Sequence, residues 1–593
     1  VTGSPSDPQR AVAPLLMAGA ALTGALVARW PSWQALLVAG AGSTAWLIAG
    51  GRRIWPAALL LGIALSILGA QAWAGTVGRQ DGTVEGMARL VGDPKPMPGG
   101  GWRSEVRIDG MRFDAEFGAA HAAVSHLLAG EGVWVTGRTD GSPRRWQRSR
   151  HVMGTITVME VGATSPAGPV SGLANMLRRT LAAGAETLGP EASALLSGLV
   201  VGDDRSQSDR TADDFRAAGL GHLLAVSGQN VAFVLAAAGP LLHRLRFRYR
   251  LPLALLLLGF FALVTRFEPS VLRATVMAGG SALAAARGRS LGGLRLLATS
   301  VVALLVVDPL LVHRAAFQLS VAASAGILLS SRSLAAAVPG PALVRETAGV
   351  TLAAQAAVAP ILLASFGPMP VAAIPANLMA APVAGPLMIW GITGGLLAGL
   401  LGPPFDWILH LPSAIGLWWI AEVARLAGRW SLGLLGTTAG IAVSLAVATV
   451  AVLSDRGSTV AARRLLAALL IALASISIMT AMSTPGAGIR DGIRLLDDSG
   501  AVVVVDRRYS AERLLESLRV RGVRTPSLIV FREPVAPGIS GAVVERFGAV
   551  RIVGPPGSVD AEVPMDSTVV HVAGQAWLLD IGHGTLSMRR LGP

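Results

Sequence analysis

The chain has 593 residues, 52% of them hydrophobic and only 15% charged, with a mean hydropathy of +0.57. These values exclude a soluble globular protein and point to several transmembrane helices with soluble parts attached. There is no cysteine, which excludes disulfides and thiolate metal sites, and the net charge of +14 is nearly all arginine, which positive cytoplasmic loops explain more simply than a polyanionic partner does.

Three apolar stretches come first, roughly 11–29, 35–50 and 54–74. Each approaches the length a helix needs to cross the hydrocarbon core. Arg10, Arg52 and Arg53 predict a cytoplasmic N-terminus, which leaves the segment after the third helix outside. Residues 1–75 are therefore read as about three transmembrane helices, the first of them a retained anchor.

From 76 to 163 the pattern changes to short runs of apolar–polar alternation, such as WRSEVRIDGMRFDAEF and GEGVWVTGRTDG, separated by Gly, Pro and Asp. About five strands in fewer than ninety residues predict a small OB-like barrel, a fold often used for single-stranded nucleic acid. The stretch RRWQRSRH offers Arg144, Arg145, Arg148 and Arg150 for phosphates and Trp146 for a base. A solvated, charged hairpin explains the same residues, and on charge alone explains them better.

Residues 164–218 read as an amphipathic helical linker. Residues 219–483 then hold about ten further spans, near 220–242, 251–266, 269–287, 293–307, 311–330, 345–366, 370–400, 404–427, 435–453 and 464–482. Positive loops at 243–250, 287–295, 330–333 and 454–464 fall on alternate sides. The ARLAGRW stretch (424–430) then sits on the wrong side, and the proline-rich 367–382 is the segment expected to re-enter rather than cross. In residues 484–593, strand and helix patterns alternate (IRLLDDSGAVVVVD, SAERLLESLRVRGV, SLIVF, GAVVERFGAVRIVG), which predicts an α/β layer fold.

Polar side chains inside apolar spans face a protein interior or a water-filled path. Taken as one helix, 221–234 places His222, Ser227, Gln229 and Asn230 inside about 160° of arc, with Gly228 on the other side. Arg273, Gln318, Ser320 and Asn377 add polar groups in three other spans. For 221–234 alone, a lined path and interhelical hydrogen bonding explain the pattern equally well; a shared path explains all the spans with one cause. No nucleophile elbow, Walker A sequence or dinucleotide fingerprint occurs, so neither catalytic residues nor a cofactor are expected.

Together, LLSGLVVGD…DFRAAGLGHLLAVSGQNV (195–231), PSVLRATVM (269–277), DP…FQLSVAASAGI (308–327) and IPANLMAAP (374–382) resemble the ComEC family of competence proteins. The resemblance implies a multi-span α-helical membrane protein of the inner membrane, with an extracytoplasmic OB-like β-barrel domain and a C-terminal α/β metallo-β-lactamase-like domain. It also implies that single-stranded DNA is carried into the cytoplasm during natural transformation, with membrane lipid, a DNA receptor and a cytoplasmic motor or helicase as partners. His222, Ser227, Gly228, Gln229, Asn230, Arg273, Gln318, Ser320 and Asn377 then line the DNA path. Asn230 stands where the family often has a second histidine. The metal loop departs further. Its four ligand positions align with Glu533, Val535, Pro537 and Gly538, of which three cannot ligate a metal. His571 and His583 are too few to rebuild a two-metal site, so the domain is expected to bind no metal and cut no DNA, leaving that step to a separate nuclease. The alternative reading is a transporter of another solute with accessory soluble domains.

Overall fold

The computed structural model describes residues 8–27, 55–76, 81–97, 100–429 and 434–482, and separate segments between 488 and 590. The apolar run 35–50 lies outside the described residues. Helices α1 (Pro8–Val27) and α2 (Trp55–Ala74) pack against each other at the start of the chain.

Alternating side chains produce the barrel. Strands β1 (Gly82–Leu90), β2 (Trp102–Ile108), β3 (Met111–Phe117), β4 (Gly132–Asp140) and β5 (Val152–Ser165) run in the order β1-β4-β5-β3-β2, and β2 pairs back onto β1. Every neighbouring pair is antiparallel except β3 with β5, which are parallel. A 3-10 segment, Ala119–His126, sits between β3 and β4. This closed five-stranded arrangement fits the OB-like fold read from the sequence. Period-two alternation sends Val84, Ala88, Val106, Ile108, Phe113, Val133 and Ile156 inward and leaves charged residues on the outer face.

Between the barrel and the bundle run α3 (Pro169–Ala185), α4 (Pro190–Val201) and α5 (Asp209–Ala217). The linker reading needs correction here, because α3 and α4 contribute Leu181, Leu195, Leu196 and Leu199 to the largest apolar core of the bundle. Small residues make that burial feasible. A Cβ at Gly184 would lie 2.5 Å from the Gly399 nitrogen, so only glycine lets the two backbones meet there.

Each of the ten apolar runs between 219 and 483 contains one helix: α6 (Gly228–Arg244), α7 (Phe247–Val264), α8 (Pro269–Ala286), α9 (Gly293–Val307), α10 (Ala315–Ala337), α11 (Ala342–Ser365), α12 (Ala373–Leu401), α13 (Phe405–Arg429), α14 (Thr437–Asp455) and α15 (Thr459–Met482). Among the described residues, five helices, α10 to α14, are long and apolar enough to cross a membrane. The proline-rich segment 367–382 divides: residues 367–372 are not helical and include the short strand Met369–Pro370, whereas from Ala373 onward α12 is continuous through Pro382 and is supported by α11 and α13. Arg425, in the ARLAGRW stretch, pairs with Glu422 one turn earlier.

The expected α/β alternation is present after 484. Strands β6 (Gly488–Arg490), β7 (Ile493–Leu495), β8 (Val502–Val505), β9 (Leu528–Phe531) and β10 (Arg551–Val553) form a sheet ordered β10-β9-β8-β7-β6, parallel from β8 to β10 and antiparallel elsewhere. Helices α16 (Ala511–Val520) and α17 (Ile539–Phe547) bury Leu514, Leu518 and Val543 against it. A separate antiparallel sheet holds β11 (Thr568–Val572), β12 (Gln575–Gly582) and β13 (Thr585–Arg590).

Candidate functional site

A cavity of about 1670 Å3 lies between the barrel and the helix ends beneath it, walled by β1 to β3, residues 145–151, and the connections 201–205, 263–269 and 307–316. Two polar joints hold this space open. At the first, Arg178 on α3 reaches Asp93 of the barrel (3.0 Å) and Asp203 after α4 (3.1 Å), and donates to the Val201 and Val264 carbonyls. Arg266, between α7 and α8, also binds Asp93 (2.8 Å) and donates to Asn175 Oδ1 (2.9 Å). Burial works to raise the Asp93 carboxyl, but Arg178 and Arg266 outweigh it and hold it below the usual range.

At the second joint, His151 Nε2 sits 3.0 Å from Asp308, and Arg314 bridges Asp308 (3.2 Å) to the Ser149 carbonyl (3.0 Å). Asp308 is likewise held low, with burial opposed by His151 and Arg314.

These joints determine which charges remain available. Ten Arg or Lys and seven Asp or Glu side chains line the cavity, and six of the seven carboxylates are engaged. Asp93, Asp203 and Asp308 serve the joints, Asp204 holds Lys95, Glu105 holds Arg150, and Asp114 lies 3.9 Å from Arg103. The seventh, Glu268, makes no ion pair among the described residues and opens onto the cavity, where desolvation by the surrounding walls pushes its carboxyl up. Among the described residues, Arg89, Arg107, Arg112 and Arg145 make neither hydrogen bond nor ion pair, and all four face the cavity. The cavity therefore presents net free positive charge, which suits a polyanion.

The residues expected in the barrel divide by position. Arg145, Trp146 and Arg150 line the cavity, with Trp146 43% exposed. Arg148 is structural: it donates to the Trp73 carbonyl (2.9 Å) and Thr76 Oγ1 (3.0 Å) and lies over the Trp73 ring, fastening the barrel to the end of α2. Arg144 is the N-cap residue of the one-turn helix Arg145–Arg148, where its backbone N–H donates to Gln147 Oε1 (2.8 Å), and it is not part of the cavity wall.

The single helix over 221–234 is also corrected. Gly221–Leu223 is a 3-10 turn and α6 begins only at Gly228, so the arc computed for one continuous helix does not apply. The physical reason is capping. Ser227 Oγ accepts from the Gln229 N–H (3.2 Å), a first-turn donor that the helix itself leaves unpaired. Ser227 also donates to Asn230, whose amide donates to the Leu199 carbonyl (2.9 Å). Asn230 is thus a buried brace to α4, while His222 and Gln229 are exposed.

Gly228 touches α8. A Cβ there would lie 2.6 Å from Arg273 Nη2 and 3.1 Å from Ala274 Cβ. Arg273 in turn donates to Ser320 on α10 (2.8 Å), so α6, α8 and α10 meet at one guanidinium. Gln318 donates to the Val312 carbonyl (2.7 Å) and lines the cavity just above. Asn377 is separate, bonded within its own helix to the Ala373 carbonyl (2.6 Å).

Reading the sequence missed Arg89, Arg107 and Arg112. The available signal was WRSEVRI, in which Arg103, Glu105 and Arg107 alternate with buried Ser104, Val106 and Ile108. Of the four positions aligned with the metal loop, Glu533 is exposed, and Val535, Pro537 and Gly538 lie outside the described residues, as does His583. A valine, a proline and a glycine do not fit a metal site at those positions.

Residues 199–457 match the family model described as Competence protein. ComE operon protein 3 of Bacillus subtilis (strain 168) is 31% identical over 223 residues, covering 36% of this chain and 27% of that relative. The chain therefore matches little more than a quarter of the relative's length. No solved structure matches the chain. The family match begins within α4 and ends just past α14, so it contains Asn230, Arg273 and Ser320 but not the barrel.

Proposed function

With a competence-family domain over residues 199–457, the chain is a ComEC-family protein, and from that premise we propose that it is an inner-membrane channel carrying one strand of DNA into the cytoplasm during natural transformation. The position of the cavity carries this reading. A vestibule with four free arginines opens beneath an OB-like barrel and directly above α8 and α10. Leu272 and Gln318 belong to its wall, and Arg273 and Ser320 follow immediately below. Free arginines attract the strand, and the uncharged Ser320 and Gln318 offer polarity without trapping phosphate.

Connectivity supports the orientation. The barrel is joined to the end of α2 and to the α7–α8 and α9–α10 connections, and α11 ends at the cavity. These belong to one end of the bundle. Arg244, Arg246 and Arg248 and then Arg287 and Arg289 lie at the other end of the same helices. Positive loops mark the cytoplasmic side, so the barrel lies outside. The C-terminal unit attaches through Asp213, Asp214 and Gly428, and the Met369–Pro370 and Leu434–Leu435 pair ties that region to the end of α11. It therefore shares the outer side. Cytoplasmic pulling falls to a motor or helicase and capture to a receptor, and strand degradation falls to a separate nuclease.

The test is import of labelled duplex DNA in a strain lacking the gene, with and without the gene restored, with electroporated plasmid as the control for recombination. Label held outside the inner membrane only in the deletion supports the channel. Unchanged import in a demonstrably competent strain rejects it and favours transport of another solute.

A further inference from the structure

We propose that Arg89, Arg107 and Arg112 form a ladder on the cavity face of the barrel that grips the sugar–phosphate backbone of a single DNA strand without reading its bases. The proposal rests on the channel reading and assigns its first binding site to three residues.

The strand register makes the ladder. Arg89 on β1 stands directly opposite Arg107 on β2, and Arg107 stands directly opposite Arg112 on β3. Residues paired in this way share one face, with Cβ atoms about 5 Å apart. On the far sides Arg89 faces Gly132 and Arg112 faces Val152, so the row is three arginines long with uncharged ends. Like charges placed directly opposite weaken a sheet. This barrel carries two such pairs in succession and supplies no carboxylate partner within bonding distance to any of the three guanidiniums.

Solvated surface arginines are the simpler explanation, and two observations weigh against it. All three side chains line the same half-open cavity beneath the barrel, Arg112 half-buried and Arg89 and Arg107 open to its solvent, rather than standing apart on unrelated surfaces. The carboxylates nearby that would neutralise them are committed, Glu105 to Arg150 and Asp308 to Arg314. Burial and the neighbouring Arg107 disfavour the charge on Arg112 and outweigh the attraction of Glu105 and Asp308, neither of which bonds to it.

A linear row of forked donors suits a linear polyanion. Each guanidinium can hold a phosphate through two parallel hydrogen bonds, and strand spacing sets the row at steps of about 5 Å, close enough to engage neighbouring phosphates of one strand. Trp146 on the adjoining wall offers a flat surface for a base. An anionic lipid has a single headgroup phosphate and no use for a row. Backbone contact alone tolerates any sequence, as uptake of arbitrary DNA requires.

The experiment uses the full chain in nanodiscs and measures anisotropy of a labelled oligo-dT and a mixed-sequence oligonucleotide across a salt series. Three phosphate contacts on a single strand contribute about 2 to the slope of log affinity against log salt. R89Q/R107Q/R112Q should flatten the slope by about 2 for both oligonucleotides, while the triple lysine variant keeps most of it. Arg138→Gln, an exposed barrel arginine away from the cavity, serves as control. If the triple variant does not accumulate, each single glutamine variant should flatten the slope by about 0.7. An unchanged slope in the glutamine variants overturns the ladder and leaves the channel reading to the import measurement. So does wild-type protein that binds neither oligonucleotide at low salt. A loss seen with only one of the two sequences overturns binding through the backbone alone. Unchanged oligonucleotide binding with less co-purifying phosphatidylglycerol would assign the row to lipid instead.

Discussion

Arg178 Nη2 lies 3.0 Å from Asp93 Oδ2, with both side chains more than nine-tenths buried, so a helix inside the bundle holds the barrel through a desolvated ion pair. Removing one partner of such a pair leaves an uncompensated buried charge, at a cost of about 3–5 kcal/mol. Asp93→Ala should therefore loosen the docking of the barrel at this joint without unfolding its strands. Because the chain has no cysteine, one cysteine introduced in the barrel and one in the bundle can report their separation by spin labelling. A single unchanged distance in the Asp93→Ala variant would show that the joint does not hold the domains together.

Both joints have a defined response to acid. Asp93 and Asp308 both lie below the ordinary carboxylate value of 3.8. A depressed folded-state value means that their contribution is complete above the ordinary value and is lost as pH falls through the lower one. The Asp93 joint, whose charged partners are both arginines, should hold constant between about pH 8 and pH 5 and loosen only in stronger acid. The spin-label distance measured against pH checks this, and loosening near neutrality would contradict it.

Arg148 and Trp146 are two residues apart and should behave oppositely. Arg148→Ala loses its bonds to Trp73 and Thr76 and should lower thermal stability while leaving the salt slope for oligonucleotide binding intact. Trp146→Ala should leave stability nearly unchanged and weaken binding by about 1–3 kcal/mol if it stacks on a base. Melting curves and titrations on both variants separate the two roles.

Gly228→Ala should resemble Arg273→Ala. The added carbon would lie 2.6 Å from Arg273 Nη2, and the guanidinium, at the free end of a flexible side chain, is the group able to move. Both variants should reach the membrane in normal amounts and import DNA poorly, because the junction of α6, α8 and α10 is lost. Normal import by Gly228→Ala alongside failed import by Arg273→Ala would show that the contact with Ser320, rather than that with Gly228, is what matters.

Arg519 and Arg546 of the C-terminal unit engage Asp213 and Asp214 of α5. Asp213→Asn with Asp214→Asn should expose the connection after α15 to protease. A double-mutant cycle over Asp213 and Arg519 should give a coupling of about 1 kcal/mol or more. Additive effects would mean that the contact adds nothing to docking.

Local pattern alone determined a large part of this protein. Period-two alternation gave the barrel strands, uninterrupted apolar runs gave one helix each, and the motifs from LLSGLVVGD to IPANLMAAP carried the family, because each of these signals lies within a few consecutive residues. Capping was equally local, yet reading 221–234 as a uniform helix overlooked that Ser227 is an N-cap, which removed the polar arc. The burial of α3 and α4 and the structural role of Arg148 were not legible, since each depends on a partner far away in the chain, Gly399 in one case and Trp73 in the other. The same holds for the site. Arg89, Arg107 and Arg112 look like three scattered surface charges in the sequence. Only the pairing of β1, β2 and β3 aligns them, and only the docking of the barrel on the helix ends gives them a shared cavity to line, because register and docking are set by long-range contacts that no short stretch of sequence specifies.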